Sequence, residues 1–312
     1  MSTMKAIRIH SYGGTDVLTY EDAPRPIPGK DDVLIRVYAT TVNPFDCAVR
    51  AGYTTEYFKY TFPLILGTDV SGVIEEVGSG VNSFSPGDEV YTRAGVTRDG
   101  AYAEYALALA ADVTAKPKSL DHIHSAALPH VTLTAWEALY ELANLRKDQT
   151  VLIHAAAGGV GHMAVQLAKL RGAKVIGTAS MHFDKLRSLG VDQAINYATT
   201  PFESIAHDVD VVLDTIGGDT QLRSWPTLKY DGTLVSTVQP PSEEIAAKHG
   251  VCIAMVFSAP PIAQTLAEVA RMADNGQIKP IVSDVLPLKD AQRAHQMIEG
   301  KHTYGKLVLQ VV

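Results

Sequence analysis

The chain has 312 residues, 46% of them hydrophobic and 20% charged, and its 27 Lys and Arg against 34 Asp and Glu give a formal net charge of −7. This length buries a large core without staples and suggests roughly two domains. The acidic balance excludes a general binder of polyanions, and two cysteines, Cys47 and Cys252, are too few for a disulfide framework or a Cys-rich zinc site.

The N-terminus enters an alternating apolar pattern at once (Ala6, Ile7, Ile9), with no leader-like apolar core, and no run of 18 apolar residues follows. The expectation is a soluble, cytoplasmic protein with neither membrane nor nucleic-acid partners. Short runs rich in Val, Ile and Tyr predict strands at residues 4–9, 32–42, 70–77, 89–91 and 102–109. Turn clusters separate them, Ser85-Pro86-Gly87-Asp88 being the strongest. Such spacing suggests a barrel or sandwich. From about Asp121 the period changes: helices are expected at 123–128 and 132–145, then strands at 150–154, 174–178, 194–196, 209–214, 233–238 and 252–257. Helices are expected at 160–171 and 184–189 between them. Alternation of this kind means a doubly wound parallel sheet. The tail carries helices at 261–275 and 288–300 and strands at 281–286 and 306–311, too little apolar pattern to stand alone. It is expected to complete the first domain, making the α/β unit an insertion. The division is 1–121, 122–258 and 259–312.

Strand Val151-Leu152-Ile153-His154 runs into Ala155-Ala156-Ala157-Gly158-Gly159-Val160-Gly161 and then a helix. Strand, glycine turn and helix in that order are the context of a dinucleotide fingerprint. Gly158 and Gly159 admit a pyrophosphate to the backbone, Gly161 lets helix and strand pack closely, and the helix N-terminus offers N–H groups to phosphate. The next strand lacks the carboxylate that holds a ribose 2′-hydroxyl in NAD sites. It ends in Thr178-Ala179-Ser180, followed by Met181-His182. A hydroxyl and a potential cation suit a 2′-phosphate, hence NADP(H); the alternative is that Ser180 and His182 merely cap the next helix.

Several segments together resemble the medium-chain dehydrogenase/reductase superfamily, in its zinc-free quinone oxidoreductase (zeta-crystallin-like) branch. They are Val42-Asn43-Pro44-Phe45-Asp46, the stretch from Leu66 to Ile74, Ser85 to Val90, the glycine turn, Ile195-Asn196-Tyr197 and Gly305-Lys306. The resemblance covers essentially the whole chain. It implies an α/β protein: a GroES-like β-barrel domain plus a doubly wound Rossmann domain inserted before the C-terminal segment, with a cleft between them and a homodimer through the Rossmann sheet edge. The implied chemistry is NADPH-dependent reduction of quinones or of α,β-unsaturated carbonyls. The zinc branch carries Cys where Asn43 stands, His where Thr68 stands and Glu where Asp69 stands, so no metal is expected here.

The resemblance also implies roles. Asn43 matches a cleft residue contacting substrate or nicotinamide ribose, and Asp46 a polar residue near the cofactor. Tyr53 matches a proton donor of related enoyl reductases; a loop aromatic is its other reading. Thr132 and Tyr197 match residues at the nicotinamide and at the 2′-phosphate ribose. Asp214 ends the fourth strand, on the ligand side of such sheets, and Phe257 and Ser258 could bracket the nicotinamide. Two rivals remain: a 2-enoyl thioester reductase, and a non-enzymatic NADPH- or RNA-binding protein of the crystallin kind, the second disfavoured by the acidic charge.

Overall fold

A computed structural model of the chain describes residues 2–257, 262–300 and 303–312. In chain order the strands are β1 (Thr3–Ile9), β2 (Thr19–Pro24), β3 (Asp32–Val42), β4 (Leu64–Ile65), β5 (Asp69–Val77), β6 (Glu89–Arg93), β7 (Tyr105–Leu109), β8 (Thr114–Ala115), β9 (Thr150–Ile153), β10 (Lys174–Ala179), β11 (Gln193–Asn196), β12 (Val209–Asp214), β13 (Leu228–Ser236), β14 (Cys252–Met255), β15 (Val282–Pro287) and β16 (Lys306–Gln310). The α-helices are α1 (Pro44–Ala51), α2 (His122–Ala126), α3 (Pro129–Trp136), α4 (Gly159–Leu170), α5 (Phe183–Ser188), α6 (Gly218–Ser224), α7 (Glu243–His249), α8 (Ile262–Asp274) and α9 (Ala291–Glu299). None of the described helices is long and apolar enough to cross a membrane.

One unit comprises residues 1–130, 260–276 and 280–312. Its larger sheet runs β15-β16-β3-β5-β6-β8, with β7 also on β3, and a smaller one runs β2-β1-β4. β3 organises it. Val33, Ile35 and Val37, on one face by the two-residue period, pack with Val70, Ile74 and Val90. The tail does return to this unit: β16 lies antiparallel to β3 with Leu307 opposite Val42 and Leu309 opposite Thr40. That register sets Lys306 beside the residue after Val42. α2 belongs here too, packed on β3 and β5, so the unit extends past residue 121.

The second unit comprises residues 131–259 and 277–279. Its sheet is parallel throughout, in the order β11-β10-β9-β12-β13-β14. The strand order reverses between β9 and β12, the switch point where such sheets take ligands. Continuous apolar strands such as Val151-Leu152-Ile153 are fully buried because helices cover a parallel sheet on both faces. The helix expected over 132–145 departs from the sequence reading: α3 widens into a π-helical turn at Glu137–Leu142. α1, α6 and α7 are short helices without a long apolar period to mark them in the sequence.

Candidate functional site

In the first unit, β3 ends at Val42 and Asn43 starts α1 in an extended conformation, with Pro44 in the first turn. The Asn43 backbone N–H donates to Asp46 Oδ2 at 2.8 Å, which fastens the turn. Gly67 has φ +98°, and a side chain there would come within 2.3 Å of the Tyr102 ring. This glycine turn feeds Thr68 and Asp69 into the interior. Asn43, Thr68, Asp69 and Lys306 are 1, 4, 0 and 3% exposed. Lys306 Nζ donates to Asn43 Oδ1 at 2.5 Å and lies 3.6 Å from Asp69 Oδ2. Asp69 Oδ2 accepts from Asn43 Nδ2 at 2.9 Å and from the Thr41 hydroxyl, while Asp69 Oδ1 accepts the His130 backbone N–H at 2.7 Å. Asn43 Nδ2 also donates to Thr68 Oγ1, which stands 3.4 Å from His130 Nδ1.

The charges follow from this packing. Burial opposes the Asp69 carboxylate, but the Lys306 ammonium and the donors Asn43 and Thr41 prevail and hold it below the ordinary range. For Asp46 the balance reverses: burial raises it to about 7, with the Asp69 charge adding to the effect, against the opposing pull of the Asn43 N–H and the Lys306 charge. Burial lowers Lys306, opposed by Asp69 and Asp46, and pushes His130 down to about 3, so that imidazole is neutral. Asp46 and Thr68 line a hollow open to solvent whose other walls include Phe45, Val49, Tyr60 and Leu66.

These residues do not make a zinc site. The amide and hydroxyl at 43 and 68 are poor zinc donors, and the carboxylate at 69 is spent on Thr41, Asn43 and the His130 backbone. The cation beside it is an ammonium. Among the described residues no three His, Cys, Asp or Glu side chains stand close enough to share a metal.

The second unit holds the glycine turn. Ala155 takes a left-handed φ of +46° and its carbonyl accepts the Gly158 N–H at 2.8 Å. A side chain at Gly161 would meet that carbonyl oxygen at 2.2 Å, so only glycine lets α4 start this close to β9. The turn Ala157, Gly158, Gly159, Val160 and Gly161 thus leads into the α4 N-terminus, as a pyrophosphate cradle requires. Ser180 and His182 follow β10, His182 in the left-handed region at φ +65°, and Tyr197 follows β11, half exposed. Thr132 is fully buried, and its hydroxyl has no hydrogen-bond partner among the described residues. Asp214 is occupied: it accepts from the Ile216 and Gly217 N–H groups, Gln221 Nε2 and Ser236 Oγ. It shapes its own turn and has no acceptor capacity to spare. Phe257 is 73% exposed, and its N–H donates to Glu137 Oε1. Ser258 lies outside the described residues.

The structure therefore brings together Asn43 and Asp46 but not Tyr53, which is 80% exposed on the turn after α1 and makes no hydrogen bond to them. It adds Thr41, Thr68, Asp69, His130 and Lys306 to the centre. A signal for Lys306 existed: a lysine opening the apolar run Leu307-Val308-Leu309.

Two family models match the chain, one described as "Alcohol dehydrogenase GroES-like domain" over residues 29–118 and one as "Zinc-binding dehydrogenase" over 189–309. "NAD(P)H oxidoreductase RTN4IP1, mitochondrial" of Danio rerio is 33% identical over 357 aligned positions, spanning 100% of this chain and 92% of the relative. The quinone oxidoreductase of Coxiella burnetii superposes with a TM-score of 0.92 at 34% identity, covering 100% of both chains. The chain belongs to the medium-chain dehydrogenase/reductase superfamily, in its quinone oxidoreductase branch. Membership makes it an oxidoreductase and its first unit the GroES-like domain of that superfamily. Another member similar to it is the Escherichia coli quinone oxidoreductase, solved in complex with NADPH. It has a TM-score of 0.90 and 29% identity and covers 98% of this chain and 100% of that one.

Proposed function

We propose that this oxidoreductase reduces quinones or α,β-unsaturated carbonyls at the expense of NADPH, without zinc. The Ala157–Gly161 turn and the α4 N-terminus would hold the pyrophosphate, Ser180, His182 and Tyr197 the 2′-phosphate ribose, and Thr132 the nicotinamide end. Bound NADPH supplies a hydride. The observation that carries the reading is the buried Asn43–Thr68–Asp69–Lys306 centre, whose Thr68 lines a hollow alongside Asp46. A carbonyl acceptor gathers negative charge on oxygen as it is reduced, and donors placed in a dry site stabilise that charge. Thr68 offers an O–H. Asp46, which keeps a proton up to about pH 7, offers a second proton near the same wall. Tyr53 is the alternative proton donor. β14 is an edge strand of its sheet, which supports a homodimer formed by pairing of that edge with a second copy.

Purified protein mixed with NADPH and either 1,4-benzoquinone or trans-2-hexenal should consume NADPH, followed by the loss of its absorbance. No consumption with either acceptor would overturn the reading.

A further inference from the structure

Lys306 is a physical anomaly: an ammonium 3% exposed at the start of a strand whose next three residues are apolar. A buried ammonium needs an anion and hydrogen-bond acceptors. Asp69 is its anion, yet its shorter contact is with a neutral group, the Asn43 amide oxygen at 2.5 Å against 3.6 Å to Asp69 Oδ2. That contact decides which way the amide faces. With Oδ1 on the ammonium, Nδ2 faces the Asp69 carboxylate and Thr68 Oγ1. Turned over, Nδ2 would meet an ammonium and Oδ1 a carboxylate, so the amide is held from both sides. A hydroxyl has one proton. Because Asn43 donates to Thr68, the Thr68 proton is directed away from Asn43, toward neutral His130 or a ligand in the hollow that Thr68 lines.

We infer that Lys306 is a positioning residue: by locking the Asn43 amide it makes Thr68 a hydrogen-bond donor toward the acceptor's carbonyl oxygen. This rests on the reductase reading given above. Neither Lys306 nor Asn43 needs to touch the acceptor. Both act through the direction of one O–H bond.

The test is a double-mutant cycle on Lys306→Met and Asn43→Ala, read as kcat/KM for 1,4-benzoquinone at saturating NADPH. Each single change should cost about 10- to 100-fold, the size of one lost charge-assisted hydrogen bond. The double variant should be no worse than the poorer single, because both remove the same lock. Multiplying losses would overturn the inference. Lys306→Met leaves Asp69 uncompensated and could fail to fold, so the neutral pair Lys306→Met with Asp69→Asn is measured beside it. That pair should recover thermal stability but not activity. Recovery of activity would reduce Lys306 to charge balance and overturn the proposal. The side-chain amide resonances of Asn43, assigned by their loss in Asn43→Ala, should shift in Lys306→Met whatever the acceptor. Unmoved resonances would refute the lock. Should the wild type reduce no acceptor, the reductase reading falls and these resonances alone decide whether Lys306 orients the amide.

Discussion

Asp46 is where burial, charge and pH meet most measurably. Its carboxyl is 2% exposed and one oxygen takes the Asn43 N–H, but its neighbours include Asp69, and its proton is lost only near pH 7 instead of the ordinary 3.8. A raised carboxyl means the folded chain binds more protons than the unfolded chain between these values. Stability attributable to Asp46 is therefore full below about pH 4, falls as pH rises, and is lost above about 7. At 1.36 kcal/mol per tenfold in proton affinity, ionised Asp46 costs the fold about 4 kcal/mol, an upper figure because the site can relax or admit water. Asp46→Asn keeps the shape and an oxygen for the Asn43 N–H but removes the titration. Urea unfolding of wild type and variant should be compared from pH 4.5 to 8.5. The variant's advantage should grow by about 2–4 kcal/mol up to pH 7 and then level off. Parallel stability curves across that range would refute the argument that Asp46 is protonated by burial.

The second unit offers a prediction of opposite kind. The Thr132 hydroxyl is buried without a partner among the described residues, and a buried unsatisfied hydroxyl costs about 1 kcal/mol or more. Thr132→Val, nearly the same in shape, should raise the melting temperature of the nucleotide-free protein by about 2–4 °C while weakening NADPH binding several-fold in a fluorescence titration. A drop in stability would show that the hydroxyl already has a partner. Cys47 is buried and its thiol is raised to about 12, first by burial and then by the Asp46 charge. At pH 8 it should stay unmodified by a thiol reagent until the protein unfolds, and Cys47→Ser should leave the native thiol count unchanged; a lower native count would refute this.

The parallel unit was legible because its signals are local and repeated. Val151-Leu152-Ile153 and Val211-Val212-Leu213 are continuous apolar runs, and the glycine turn sits where β9 passes into α4. The turn itself could be read residue by residue for the same reason. The centre of the first unit could not. Thr41, Asn43, Thr68, Asp69, His130 and Lys306 come from separate stretches of chain, and what joins them is strand register. β3 against β5 and β16 is a long-range arrangement no local period reveals. Asp214 stands at a strand end facing the ligand side, and its oxygens are taken by two N–H groups of its own turn, by Gln221 of α6 and by Ser236, partners that no local period reveals.

The return of β16 raises the question of what the lysine contributes. Joining Lys306 to Asn43 closes a separation of 263 residues, at a loop entropy of about 5 kcal/mol. Leu307, Val308 and Leu309 are fully buried, and at about 1.5–3 kcal/mol apiece they offset that cost on their own. Lys306 adds little to this sum, because desolvating an ammonium consumes most of what its partners return. An apolar residue together with a neutral one at position 69 would pack the same strand at least as well. The lysine is therefore not explained by stability. What it supplies is a fixed positive charge and a donor beside the Asn43 amide and the Asp69 carboxylate. The amide, hydroxyl and carboxylate around it take their orientations from that charge, so a buried ammonium delivered by β16 organises the centre.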